Sequence, residues 1–253
     1  MRSTLAARRA MALALAACVL LVACGDDGDD GAATTTTTTG PSTTEEGTSE
    51  TSGPTSTVPP SADPVRLAEA EAAVLRQEDF PDGWSEHDPT AGLALELTWN
   101  DLLSCLGVPA GDQALGIATS PTFLQGLATQ ARSTVEYLPE DRVQAIGAAL
   151  AGADLDRCLS EAISADAVRS APEGGVPGPV TVSALDVPAL GQATTAKRMN
   201  FTMKVEDLEI PIFQDLVVVL DGDTVTRLVF LNPGGPFPPS LQRTLIETVV
   251  GRA

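Results

Sequence analysis

The chain has 253 residues, a formal net charge of −19 at pH 7 and a single histidine. A protein this acidic is repelled by the phosphates of DNA and RNA, so we expect no nucleic-acid partner. One histidine cannot build a multi-histidine metal site, and the sequence contains no nucleotide-binding or zinc-hydrolase motif. We therefore expect neither a metal nor another cofactor.

Residues 1–23 have the pattern of an export signal. Arg2, Arg8 and Arg9 give it a basic start, and an apolar run extends from Ala10 to Leu21. That run is too short to cross a bilayer core of about 30 Å as a stable helix. We expect the segment to be removed on export, either as an ordinary secretory signal or as the lipoprotein type described next.

The export signal ends in Leu21-Val22-Ala23-Cys24-Gly25, which resembles the lipobox of bacterial lipoproteins. In that family the cysteine receives diacylglycerol, the peptide is cut before it, and a fatty acid such as palmitate is added. The resemblance implies that Cys24 anchors the mature chain to the extracytoplasmic side of the cell membrane. Cleavage removes three basic residues and no acids, so the mature net charge becomes −22.

Residues 24–62 are predicted to form the lipidated start of a disordered tether. The segment is rich in Thr, Ser, Gly and Asp, contains no basic residue and has almost nothing apolar. Such a composition cannot bury a core and stays disordered. We therefore expect one globular domain, residues 63–253, held away from the membrane.

The first half of this domain is predicted to be mostly helical. Asp63 and Pro64 have the types typical of an N-cap and a first helical residue, and apolar residues recur at helical spacing through Gln77. A turn is expected at residues 80–84. The later predicted elements are a helix at Trp99–Leu106, a half-buried strand at 132–137, a helix from Pro139 to Leu150 and a helix from Leu155 to Ile163.

The second half changes to strand spacing. Alternating or continuous apolar runs predict strands at 180–182, 198–205, 210–220 and 224–231, the last two joined by Asp221-Gly222-Asp223. Leu241, Leu245, Ile246, Val249 and Val250 share one face of a final helix. We predict an α+β fold, with a twisted antiparallel sheet covered on one face by helices that include the amphipathic C-terminal helix.

The two remaining cysteines, Cys105 and Cys158, are predicted to form a disulfide. Cys18 lies in the removed segment and Cys24 carries the lipid, so an even pair is left in an oxidising compartment. A redox-active pair is the alternative, although the spacing is not that of a local Cys-x-x-C motif.

No catalytic constellation is evident, and we expect the protein not to be an enzyme. His87 lies in a charged segment that we predict to be a surface loop, and no G-x-S-x-G nucleophile motif is present. A pair of carboxylates acting on cell-wall glycan remains the enzymatic alternative, because many acids lie between residues 64 and 253.

Two groups of residues are candidates for ligand binding. The large aromatic side chains Trp84, Trp99 and Tyr137 have the character of rings that line ligand clefts, and core packing is the other interpretation. Lys197 and Arg198 form an adjacent basic pair that can hold an anionic headgroup or a partner's carboxylate. A solvated strand face is the alternative for this pair.

Three short motifs carry a resemblance to a known family. They are Phe80-Pro81-Asp82-Gly83-Trp84, Cys105-Leu106-Gly107 and Cys158-Leu159, followed by a strand pair and a terminal amphipathic helix. The pattern resembles actinobacterial sensor-domain lipoproteins and is similar to the extracellular domain of the mycobacterial kinase PknH. It is more distantly similar to the Mog1/PsbP-like lipoproteins. The kinase domain typically has a second disulfide, which this chain lacks.

The resemblance implies a non-enzymatic envelope domain with a cleft for a ligand or a protein partner. We expect a monomeric, lipid-anchored protein that binds a small ligand, such as a lipid or another apolar or anionic molecule, or an envelope protein. An accessory or structural subunit of an envelope complex is the alternative, followed by a carboxylate-dependent glycan hydrolase.

Overall fold

The long apolar runs of the second half form the centre of an antiparallel sheet. The computed structural model describes residues 63–87, 99–109, 114–126 and 128–253, all within one compact unit, Thr51–Ala253. The strands of its nine-stranded sheet are β1 (Trp84–His87), β2 (Gly116–Thr119), β3 (Thr122–Gln125), β4 (Thr129–Tyr137), β5 (Gly175–Pro177), β6 (Thr181–Ala184), β7 (Ala193–Val205), β8 (Leu208–Asp221) and β9 (Thr224–Pro233). Their order is β1-β3-β4-β9-β8-β7-β5, with β2 also paired to β4 and β6 to β7.

Five α-helices accompany the sheet within the described residues. They are α1 (Pro64–Ala73), α2 (Trp99–Cys105), α3 (Glu140–Leu150), α4 (Leu155–Arg169) and α5 (Pro239–Val250). The α+β class and the large antiparallel sheet are confirmed.

The β8–β9 hairpin was predictable from its sequence, and the structure confirms it. Asp221 pairs with Thr224 across a two-residue turn, in which Gly222 has a φ of 58°. Glycine adopts this left-handed conformation without the steric cost that a Cβ atom would impose. The hairpin places β8 between β9 and β7 at the middle of the sheet.

Helices cover both faces of the sheet, so the prediction of one covered face was wrong. Buried residues of α2, α3 and α4 pack with Leu216 and Val218 of β8 on what we call the α2–α4 face. Buried residues of α1 and α5 pack with Val217 and Val219 on the opposite, terminal-helix face. The apolar run of β8 is continuous because a strand buried on both faces needs apolar side chains at successive positions.

Helix α1 ends at Ala73, earlier than the predicted Gln77. Val74 is already extended, and the N–H of Leu75 donates a buried hydrogen bond of 2.8 Å to the Ser133 hydroxyl on β4. Residues Gln77–Asp79 then form a separate 3₁₀ turn. Helical spacing continues past the true end because the extended segment also places Leu75 in the core.

The sequence also failed to indicate four short strands, β1, β2, β3 and β5. His87 is the last residue of β1 rather than part of a loop, and Ser85, Glu86 and His87 are exposed. Strands β2, β3 and β5 have only three or four residues each, which is too few for a periodic pattern to stand out.

The predicted export signal, the lipidated Cys24 and the tether to residue 62 lie outside the described residues. Within the described part of the chain, no helix has the length and apolar character needed to cross a membrane.

The predicted disulfide is confirmed between Cys105 and Cys158, with the Cα atoms 5.8 Å apart. It joins the last residue of α2 to the first half of α4. Helix α2 has only seven residues, and so short a helix is unstable in isolation. We infer that the bridge keeps α2 folded against its neighbours.

Reduction of this disulfide is expected to lower the free energy of unfolding by about 4 kcal/mol, from the chain entropy of a closed loop spanning 53 residues. Urea unfolding with and without a phosphine reductant measures the loss. The double variant Cys105→Ala/Cys158→Ala is the control, since reductant must not change its stability. An equal midpoint for oxidised and reduced wild-type protein would show that the bridge contributes nothing.

Candidate functional site

The structure distributes the three candidate aromatic rings over two cores. Trp84 and Tyr137 are buried on the terminal-helix face, whereas Trp99 is buried on the α2–α4 face. Trp84 packs against Phe80 and Phe237, with ring centroids 4.9 and 5.8 Å apart. The three rings therefore do not line one common cleft.

Tyr137 connects the two ends of the described domain. Its ring lies 4.7 Å from the guanidinium carbon of Arg66 in α1, and its hydroxyl donates a 3.1 Å hydrogen bond to the main-chain oxygen of Ala253. Burial raises the pKa of this hydroxyl, and the nearby Glu69 raises it further. The ring and hydroxyl thus have structural partners within the chain.

Lys197 and Arg198 point to opposite faces and bind carboxylates of the chain itself. The Lys197 ammonium lies 2.6 Å from Asp156 at the start of α4. The Arg198 guanidinium donates two hydrogen bonds of 2.7 Å to the buried Asp215 of β8. Both side chains therefore already have carboxylate partners within the chain, whereas the sequence predicted an anionic headgroup or the carboxylate of a partner protein.

The Asp215 carboxylate is the centre of a buried clamp between the sheet and α5. Besides the fork of Arg198, it accepts a 2.9 Å hydrogen bond from the side-chain amide of Gln242 in α5. Asp215 is 1% exposed and Gln242 is 4% exposed. The hydrogen bonds that Arg198 donates to Asp215 raise the pKa of the Arg198 guanidinium.

Polar side chains also enter the α2–α4 face, where the helices cover the sheet. Strand register places them on this face beside members of its apolar core. We call this set the polar band. Its members are Gln130, Arg132, Thr134 and Glu136 of β4, Arg227 of β9 and Gln214 of β8.

Gln214 is the most deeply buried member of the polar band. It is 0% exposed, and neither its amide nitrogen nor its amide oxygen has a hydrogen-bond partner. Its cross-strand neighbours are Met199 and Leu231, both buried and apolar. An amide left without partners in such surroundings costs about 1–3 kcal/mol, so native proteins rarely retain one without a reason.

Arg227 lies further along the same face, under the indole of Trp99. Its guanidinium carbon is 4.6 Å from the Trp99 ring centre, and Nη2 is 3.2 Å from the Glu136 carboxylate. The buried Nε has no hydrogen-bond partner. Burial lowers the pKa of Arg227, Glu136 opposes that shift, and the nearby Arg132 adds to it.

The two polar centres are separated by a strip of apolar sheet. Arg227 pairs with Val218, four residues from Gln214 along β8, so the centres lie roughly 13 Å apart in the strand direction. Leu216 and Val229, a directly opposed pair, lie between them. The strip itself belongs to the packed core, since Leu216 is 2% exposed. Its composition, apolar side chains with a polar group at each end, is that of small-molecule sites.

Gln214 and Arg227 were missed from the sequence, although one signal was present. Gln214 and Asp215 interrupt the apolar run from Ile210 to Leu220, and both faces of that strand are buried. A polar pair at such a position needs either internal partners or a ligand. The structure supplies partners to Asp215 but none to Gln214.

A surface groove of about 280 Å³ lies beside the disulfide, between α2 and α4. It is lined by the exposed residues Asp101, Glu161 and Arg169, by the disulfide and by two alanines. Its volume is at the small end of the range for ligand sites, and most of its polar groups remain in water. Within the described residues, no three His, Cys, Asp or Glu side chains are grouped as a metal ion requires.

Replacement of Asp215 by alanine is expected to destabilise the protein by about 3 kcal/mol, because it leaves Arg198 and Gln242 without their shared acceptor. Asp154→Ala removes an exposed partner of Arg157 and is expected to cost less than about 1 kcal/mol. Urea unfolding of both variants measures the difference. Similar losses would show that the clamp is no stronger than a surface ion pair.

Comparison with known proteins does not assign the chain to a family. No model of a protein family matches the sequence, and no curated protein is significantly similar to it.

Proposed function

We propose that the chain is a lipid-anchored extracytoplasmic protein whose domain binds a small ligand and catalyses no reaction. The export signal and the lipobox-like sequence ending in Cys24 support the anchoring. The resemblance to actinobacterial sensor-domain lipoproteins supports a binding role. The site that we assign to the ligand is the polar band, chiefly its two centres at Gln214 and Arg227.

The observation that carries this proposal is the buried, unpartnered amide of Gln214. Its nitrogen and oxygen have no hydrogen-bond partner at 0% exposure. An apolar residue of similar size would fill the same space without the desolvation cost. A ligand that supplies one acceptor and one donor would satisfy the amide and remove that cost. The unpartnered amide therefore favours the ligand-bound state over the free protein.

One feature of the polar band supports a binding role over glycan hydrolysis. A glycosidase needs two acids facing each other across an accessible cleft, one of them kept protonated. In the polar band, the Glu136 carboxylate is 12% exposed and lies 3.2 Å from the guanidinium of Arg227. A carboxylate that is buried in an internal ion pair is poorly placed to act on a substrate from the side of an open cleft.

An accessory subunit of an envelope complex is the second candidate. Its support is limited to exposed apolar side chains near one edge of the sheet, namely Val168 at the end of α4, Val176 on β5 and Leu208 at the start of β8. Strand β5 pairs with the end of β7, where Val205 is opposite Leu208, and this register turns Val176 and Leu208 to opposite faces of the sheet. An envelope partner would therefore have to contact this edge from both faces.

Native mass spectrometry of the full protein, extracted from membranes of the source organism in detergent, tests the proposal. We expect a discrete added mass that is lost on denaturation. The variant Gln214→Met is expected to lose the added mass while its unfolding temperature rises, because a buried unpartnered amide has been replaced by an apolar side chain of similar volume.

The matched control for this variant is Gln242→Met. Gln242 is also buried, but its amide donates to Asp215, so its replacement is expected to lower the unfolding temperature and keep the ligand. A bare wild-type protein would favour the accessory subunit. A Gln214→Met variant that is destabilised would show that the amide has a structural role instead.

The lipid anchor has a separate test. Cys24→Ala removes the sulfur that would carry diacylglycerol, so the variant is expected to leave the membrane fraction or to keep its uncut signal. Cys18→Ala changes a cysteine inside the predicted signal and is expected to leave anchoring unchanged. Cell fractionation and the mass of the N-terminal peptide report the outcome. Equal membrane association and an unlipidated Cys24 in wild-type protein would contradict the lipobox prediction.

A further inference from the structure

Arg227 has fewer hydrogen-bond partners than an arginine in a mostly buried position normally has. Its side chain is 14% exposed, and its one charged partner in the described part of the chain is Glu136, which approaches Nη2 at 3.2 Å. The buried Nε has no hydrogen-bond partner. A guanidinium has five N–H groups in a planar fork, and a buried arginine normally has most of them bonded.

Trp99 restricts how a further partner can reach this guanidinium. The indole covers the guanidinium at 4.6 Å, so one face of the group is already occupied by an aromatic ring. A new partner must then approach in the plane of the guanidinium, through its N–H edge. Carboxylate and phosphate oxygens match that edge and bind it through two parallel hydrogen bonds.

The surroundings reinforce the positive charge at this point. Arg132 of β4 is opposite Val229, two residues from Arg227 on β9, and is near enough to lower the pKa of Arg227. Thr134 lies directly opposite Arg227, and its hydroxyl is 3.1 Å from that of Thr119 on β2. The chain has a net charge of −19, so two neighbouring, partly buried arginines are a local exception to its acidic character.

We propose that Arg227 recognises an anionic group of the ligand, a carboxylate or a phosphate, which binds the guanidinium edge beneath Trp99 and competes there with Glu136. This inference rests on the proposed function and names the class of ligand. Glu136 holds the guanidinium in the free protein. The ligand's anion takes over its place and adds the hydrogen bond at Nε.

The two tryptophans of the chain provide a local readout. Trp99 covers Arg227, whereas Trp84 lies in the core of the opposite face, so their indole N–H signals in a proton–nitrogen NMR spectrum report on the site and on a remote reference. The variant Trp84→Phe assigns the two signals. The full protein in detergent is titrated with sodium phosphate and, separately, with sodium acetate, each against sodium chloride at equal ionic strength.

We expect at least one anion to shift the Trp99 signal saturably and to leave the Trp84 signal unchanged. A response to phosphate alone assigns a phosphate ligand, and a response to acetate alone assigns a carboxylate. Arg227→Lys keeps the charge but loses the fork, so it is expected to weaken binding at least tenfold. Arg227→Met is expected to abolish the shift, and Arg157→Met, an exposed arginine on α4, is the control that retains it.

The variant Glu136→Gln tests whether the ligand's anion competes with Glu136 for Arg227, or whether the Glu136–Arg227 ion pair is purely structural. If the ligand's anion displaces Glu136, this variant is expected to bind the same anion several-fold more tightly than wild-type protein. Unchanged or weaker binding would overturn the competition. A Trp99 signal that neither anion moves in wild-type protein, or that moves equally in Arg227→Lys, would overturn the anion site.

These outcomes are separable from the fate of the proposed function. If Gln214→Met loses the added mass and Arg227→Lys retains it in full, the proposed ligand-binding function is supported. The proposal that Arg227 recognises an anion is then overturned. An anion-dependent Trp99 shift in a protein that carries no added mass would support the anion site and count against the ligand assigned to Gln214.

Discussion

The fold depends on strand β8 being buried on both of its faces. One set of its side chains packs under α2, α3 and α4, and the alternate set packs under α1 and α5. In its buried segment, residues 214–220, no polar side chain can reach water, so each must find a partner inside the protein or remain unsatisfied. The adjacent residues Gln214 and Asp215 point to opposite faces and meet this constraint in opposite ways.

Asp215 and Gln214 differ in whether the chain itself supplies partners to a buried polar side chain. The Asp215 carboxylate accepts three hydrogen bonds from Arg198 and Gln242 and thereby fastens α5 to the sheet. The amide of Gln214 has no hydrogen-bond partner, and its desolvation costs stability in the free domain. A residue that destabilises the free form and can be satisfied in a complex is typical of sites where stability is exchanged for binding.

The sequence predicted the elements whose patterns are long. The β8–β9 hairpin, the alternation around Met199 and Phe201, and the disulfide between Cys105 and Cys158 are all present. It failed for β1, β2, β3 and β5, which are too short to show a period, and for the number of covered faces, which depends on how helices return to the sheet. The candidate aromatic rings were chosen by type, and type alone does not tell on which face a ring lies. Gln214 and Arg227 stand out only because buried polar atoms of their side chains have no hydrogen-bond partner, which a sequence does not show.

The contact of Arg66, Tyr137 and Ala253 brings the two ends of the domain together. Helices α1 and α5, which contain or adjoin those ends, pack on the face opposite the polar band. A short linker between residues 253 and 63 could therefore close the domain into a circle, and new ends could be opened at an exposed turn such as Gly222. Such a permuted protein could be immobilised at a chosen point while the α2–α4 face stays turned away from the support.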